Sequence, residues 1–275
     1  MRAYNLEVTG SLKVQGDISA ENYIVDTTVV HMTQSFASGS TKFGDSGDDT
    51  HQFTGSLFIS GSRISIDDGK ENVSVGSTAG DAITSANQNT LIGSRAGSGL
   101  TTGGYNTLVG RSAGWSLVAN QYNVAIGQDA LKTADAGETY NVAIGTGAMT
   151  SVNNSASDNN VAIGYQAAKG GTGAITDTIA IGYGAMDQTG GIGGIDNIFI
   201  GKNAGGGVWV TGASNSNVGI GTNVMDAAMN AAGYNVAVGY HAMTALTIGD
   251  NNVSIGSSAS YNLTTGHSNV IIRGD

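Results

Sequence analysis

The chain contains no cysteine and no proline, and few charges. Without Cys there is no disulfide framework and no thiolate site for zinc or an iron–sulfur cluster. Without Pro, and without Gly at every third position, a collagen triple helix is excluded. Only 12% of the 275 residues are charged, about half of the usual quarter. Eleven Lys and Arg stand against 21 Asp and Glu, a formal charge of −10. So few dispersed cations cannot cover much phosphate, which argues against nucleic-acid binding. There is no run of 18 apolar residues, and Met1 to Val8 carries no apolar signal-peptide core. No membrane span and no Sec export are predicted, so assembly in a cytoplasm is expected. What is abundant is glycine, with 44 residues, about twice the ordinary share. Hydrophobic residues make up 40% and are rich in Val and Ile, which argues against disorder.

Self-similarity dominates the chain. Tyr122-Asn123-Val124-Ala125-Ile126-Gly127 recurs as Tyr140-Asn141-Val142-Ala143-Ile144-Gly145 and as Asn159-Asn160-Val161-Ala162-Ile163-Gly164. Twelve copies align on one column: Asn72, Asn89, Asn106, Asn123, Asn141, Asn160, Thr178, Asn197, Asn217, Asn235, Asn252 and Asn269. Successive spacings are 17, 17, 17, 18, 19, 18, 19, 20, 18, 17 and 17 residues. Four residues on stands Gly76, Gly93, Gly110, Gly127, Gly145, Gly164, Gly182, Gly201, Gly221, Gly239 or Gly256, with Arg273 in the last copy.

The residue after the Asn column is always Val, Ile or Thr, and two further on it is always Val or Ile. Two β-branched residues two apart share one face of a strand. That face, including Ile144 and Ile163, is expected to point inward, and the variable residue between them outward. The glycine suits a turn with positive φ, and the Ala that follows three residues later suits a tight corner. A period of 17 to 20 residues is too short for helical-hairpin repeats. It predicts an all-β fold, a parallel β-solenoid of about twelve coils over residues 71–275. Eleven steps at strand spacing make a rod of roughly 50 Å. The Asn column then forms a structural ladder along the rod, the alternative being a simple turn residue.

Residues 1–70 follow another pattern. Thr9-Gly10-Ser11-Leu12-Lys13-Val14 reappears as Thr54-Gly55-Ser56-Leu57-Phe58-Ile59. These read as short strands with few large apolar residues, so pairing with other chains is the simplest way to build a core. An intertwined N-terminal trimerising and attachment region is expected, with a boundary near residue 70.

The Asn-Val-Ala-Ile-Gly columns resemble the head repeats of trimeric autotransporter adhesins. They look even more like repeats of bacteriophage tail-fibre proteins, in which such blocks alternate with Leu-Thr-Thr-Gly segments, as at Leu100 to Gly103 and Leu263 to Gly266. The stretch from Ser38 to Asp45 and on from Asp48 to Leu57 also looks like phage structural proteins. The resemblance implies a homotrimeric virion fibre that joins other tail or fibre proteins through its N-terminal region and contributes to host attachment. Its longer loops, 150–159, 187–196 and 202–216, are expected to face a host glycan or protein. A bacterial surface adhesin is the alternative, and a glycan-degrading tailspike a more remote one.

No catalytic or metal constellation stands out. His31, His51, His241 and His267 share no triad or ligand spacing. Asp45, Asp48, Asp49 and His51 read as an acidic solvated loop rather than a cation site. Gly190 to Asp196 matches a calcium nonapeptide only once and without the period. Glycan hydrolysis needs two carboxylates about 5–9.5 Å apart, and the acids are scattered over loops. No enzyme activity and no cofactor are expected. Trp115 and Trp209 lie between repeat blocks and are the candidates for stacking on a glycan.

Overall fold

The structure, a computed structural model, describes residues 69–134, 137–209 and 211–274. The expected N-terminal strands and the acidic loop lie outside the described residues. The described part belongs to the larger of two units, Gly61–Asp275.

It contains fourteen short strands and no helix. They are β1 (Val73–Val75), β2 (Thr90–Ile92), β3 (Thr107–Val109), β4 (Val124–Ile126), β5 (Val142–Ile144), β6 (Val161–Ile163), β7 (Ile175–Thr176), β8 (Ile179–Ile181), β9 (Gly194–Ile195), β10 (Ile198–Ile200), β11 (Val218–Ile220), β12 (Val236–Val238), β13 (Val253–Ile255) and β14 (Val270–Ile272). Twelve form one parallel sheet in chain order, while β7 and β9 pair separately. Register is column to column, as in Val124 on Val142, Ala125 on Ala143 and Ile126 on Ile144. The described part is therefore a parallel β-solenoid of about eleven turns.

The Asn column lies inside and is buried from Asn72 to Asn252. The backbone N–H and side-chain Nδ2 of Asn106 both donate to Oδ1 of Asn89, at 2.9 and 3.0 Å. Asn89 does the same to Asn72, at 3.0 Å for each bond. The Nδ2 groups also cross to the far side of their own coil. Asn106 donates to the Asn120 carbonyl at 2.9 Å, and Asn235 to the Gly249 carbonyl at 2.7 Å. Each amide thus links two coils and closes one. The residue in left-handed backbone is the one before the Asn, such as Tyr122 at φ 57°. Thr178 breaks the chain of amides. Its N–H reaches Asn160 Oδ1 at 3.1 Å, but its hydroxyl turns to the Thr176 carbonyl.

The repeat glycine is required twice over. Its φ runs from 121° to 141° through the column, a region open essentially to Gly alone. A Cβ on Gly93 would also sit 2.6 Å from the Gly110 carbonyl oxygen of the next coil.

The strands face the opposite way from the sequence expectation. The middle residue points into the lumen: Leu91, Leu108, Ala125, Ala143, Ala162, Ala180, Phe199 and Ala237 are all fully buried. The flanking β-branched residues, Ile144 and Ile163 among them, point out. Ile126 is 38% exposed and Val75 48%. The reason is room. The lumen already holds the Asn amides and the Ala corners Ala96, Ala113, Ala130 and Ala148, which leaves one variable side-chain slot per strand.

That slot is shared with the eighth residue after the Asn column. Where the strand supplies Leu91, Leu108 or Phe199, the later position is Gly97, Gly114 or Gly205. Where it supplies Ala125, Ala143, Ala180, Gly219 or Ala237, the later position is Leu131, Met149, Met186, Met225 or Met243. A Cβ on Gly97 would lie 3.0 Å from Leu91 and Leu108 side chains, and one on Gly205 would lie 2.8 Å from the Phe199 ring. In β13 the pair becomes polar, with Ser254 Oγ donating to Ser260 Oγ at 3.0 Å. Leu131 and Met149 take this place at φ 47° and 50°. A non-Gly residue there costs about 1–2 kcal/mol. Burying a Leu or Met side chain returns about 1.5–3 kcal/mol, so burial wins.

Exchange of partners should therefore be tolerated and single changes should not. Met149→Gly is expected to cost about 2–5 kcal/mol through its cavity, and Ala143→Leu about 1–3 kcal/mol through overpacking. The double variant should recover most of both losses in a urea melt. Additive losses would show that the two positions do not share one volume.

Candidate functional site

The outward sheet face is the most distinctive surface of the described residues. Of its 24 flanking strand positions, 22 are Val or Ile, and Thr90 and Thr107 are the others. They form two adjacent columns along all twelve strands of the main sheet. Alternation carries the same parity one step further at each margin. The residue before the Asn column and the residue after the glycine are exposed in nearly every coil. Each outward row thus reads margin, β-branched, β-branched, margin.

Tyrosines line both margins. On the first, the rings of Tyr105, Tyr122 and Tyr140 stack at 4.7 and 4.9 Å with interplanar angles of 10° and 6°. On the second, Tyr165 and Tyr183 stack at 5.1 Å, and Lys202 Nζ lies 5.9 Å from the Tyr183 ring centroid. Rings stacked along the rod cover each other's faces and show edges and hydroxyls to solvent. The second margin is not evident from the Asn-aligned columns alone. It emerges once the side-chain parity is followed through the glycine.

The two candidate tryptophans part company. Trp209 is 1% exposed, edge-on to Phe199 with ring centroids 6.4 Å apart. It fills the lumen of a wide coil and cannot stack on a sugar, which corrects its assignment as a glycan contact. Trp115 is 42% exposed, with Lys132 Nζ 5.8 Å from its ring centroid, so its indole stays open to a ligand. His241 is half-buried between Tyr240 and Tyr261. Its Nδ1 lies 3.2 Å from Thr244 Oγ1.

Among the described residues no three His, Asp or Glu converge as a metal-ligand set, and no helix is long and apolar enough to cross a membrane. Gly194 and Ile195, from the glycine-rich stretch, form β9. One pair of carboxylates interacts, Asp187 with Asp226. Burial pushes the Asp129 carboxyl up, but hydrogen bonds from Gln128 and Lys132 and the charges of Lys132 and Arg111 outweigh it and hold it below its ordinary value. Burial and the neighbouring Asp187 carboxylate push Asp226 up to about 6, against the pull of His241. Asp187 is itself raised by burial, against Gln188 and Lys169.

Comparison with protein-family models, with curated proteins and with solved structures gave no match. The class defined by the fold is a parallel β-solenoid with an amide-laddered lumen and an apolar outer sheet face.

Asp226 sets a pH dependence. An unfolded Asp titrates near 3.9, and the folded one near 6. Between those values the native state binds more protons than the unfolded state, so stability falls as pH rises. Asp226→Asn should therefore gain stability relative to the parent as pH goes from about 4 to about 6.5, read as a diverging pair of urea midpoints. Parallel midpoints across that range would show that Asp226 does not titrate differently on folding.

Proposed function

We propose that this chain is a rod-forming segment of a bacteriophage fibre, in which three copies pack side by side along one axis and contribute to host attachment. The observation that carries the proposal is the outward stripe of Val and Ile, interrupted only by Thr90 and Thr107 through the twelve strands of the main sheet. At strand spacing it is about 50 Å long and roughly 10 Å wide, so on the order of 500 Å². That is at the upper end of what the largest patch on a monomer covers. A parallel rod-against-rod arrangement removes it from water over its whole length. The phage setting follows from the resemblance of the repeats to tail-fibre sequences.

In this reading the work is mechanical. Backbone ladders and buried amides stiffen each solenoid, and the shared apolar face holds three together. The N-terminal region joins other virion proteins. The loops facing away from the axis, with Trp115 on them, meet the host glycan or protein. The chain acts without a cofactor and without catalysis.

The first measurement is the native mass by light scattering. Three times the 27.6 kDa of one chain is expected, and a folded particle of single-chain mass would remove the proposal. Variants then separate face from lumen. Ile144→Asp with Ile163→Asp should leave a folded solenoid of single-chain mass, because the charges sit on the shared face. Ala143→Asp should abolish folding, because it places an unpaired charge in the lumen. An unchanged trimer from the double Ile variant would show that the stripe is not the contact.

A further inference from the structure

The chain carries a formal charge of −10, yet its cations are not spread evenly over the described residues. Seven Lys and Arg fall among them, and five, Arg95, Arg111, Lys132, Lys169 and Lys202, stand on one corner of the coil, the five residues that follow the repeat glycine. From Arg95 to Lys169 that corner holds four cations against a single acid, Asp129, over five successive coils. Asp129 ties two of the cations together, with an Arg111 guanidinium nitrogen at 3.7 Å and Lys132 Nζ at 3.3 Å. Arg95 and Lys169 form no ion pair among the described residues. Arg95 is exposed. Lys169 is half-buried, and its charge reaches Asp187 one coil on. The exposed Trp115 lies on the same corner, in the coil before Lys132, whose ammonium leans over the indole.

Spacing decides what kind of ligand such a strip fits. Successive cations from Arg95 to Lys169 stand one, one and two coils apart, which at strand spacing is about 5–10 Å each and roughly 20 Å in all. A DNA duplex carries a charge every ~1.7 Å and a single strand every ~3.4 Å, denser than this strip can neutralise. A polysaccharide with a carboxylate on every sugar or every second sugar carries its charges at about the spacing of one or two coils. Its pyranose rings also offer flat C–H faces to an indole, whose body is apolar, and hydroxyls to Gln128, Thr150 and Gln166 on the same corner. We propose that this corner binds a linear acidic polysaccharide laid along the rod, one sugar stacked on Trp115 and its carboxylates held by Arg95, Arg111, Lys132 and Lys169. The proposal rests on the host-attachment reading above and names the ligand class and the edge that takes it.

The test uses the full chain and its own fluorescence. Of the two tryptophans, Trp209 is sealed in the lumen, so a change in emission on adding a ligand reports Trp115. Hyaluronate and polygalacturonate should change the emission and bind more weakly as salt rises, while neutral dextran at the same concentration should not bind. Arg95→Gln and Lys169→Gln break no ion pair, and each should weaken hyaluronate binding about two- to five-fold with the native mass unchanged. Trp115→Ala should weaken it as well, followed by calorimetry. Equal affinity for dextran overturns the acidic class and leaves attachment to a glycan standing. Binding unmoved by all three variants overturns the site. Tighter binding of a single-stranded oligothymidylate gives the strip to nucleic acid and overturns the proposal, as does binding to none of these polymers. The native mass judges the side-by-side rod independently of every one of these outcomes.

Discussion

A primary amide sealed from water is costly unless its oxygen and both its hydrogens find partners, about 1–3 kcal/mol for each group left unmet. This solenoid buries such an amide in nearly every coil. The oxygen can be satisfied only if the next coil delivers its own Asn N–H and Nδ2 at one strand spacing, as Asn106 does for Asn89. The remaining hydrogen needs a carbonyl from the return half of the coil, as from Asn120 to Asn106. Coil height, register and closure are thereby tied to one side chain. The glycine column follows from the same tight stacking, since a Cβ would strike the carbonyl above it.

A lumen set that narrowly has little volume to distribute. The pairing of Leu91 with Gly97, Phe199 with Gly205 and Ala143 with Met149 shows how it is kept filled without being overfilled. It also explains why Leu and Met accept left-handed backbone at the later position: the strand leaves a hole that only a long side chain from that corner reaches. The longer coils obey the same rule. From β10 to β11, where the repeat is longest, Phe199 and Trp209 enlarge the core together.

Because the inside is full, the β-branched residues that favour a strand are left on the outside. In the proposed trimer, a second and third copy cover this apolar sheet face over its whole length with one of equal pitch. The stacked tyrosines belong to the same economy of surface: ring faces are hidden along the rod, and only edges and hydroxyls are offered laterally.

The fold was legible in the sequence because repetition is local and periodic. The spacing of 17 to 20 residues, the Asn and Gly columns and the absence of Pro are enough to predict stacked parallel strands. The direction of the side chains was not legible from the same columns. Uniform Val and Ile at Val142 and Ile144 look like core, and a position that ranges from Gly219 to Phe199 looks like surface. The inverse sizes of the middle strand residue and the residue six places later held the signal, visible only when the two columns are read as a pair. Trp209 and Trp115 likewise looked alike until the width of each coil decided which ring was swallowed. The sequence by itself determined the repeat, the strand and the turn, since these depend on neighbours along the chain. Only the tertiary structure decided inside from outside, because that depends on how much volume a closed coil encloses, a quantity no single repeat contains.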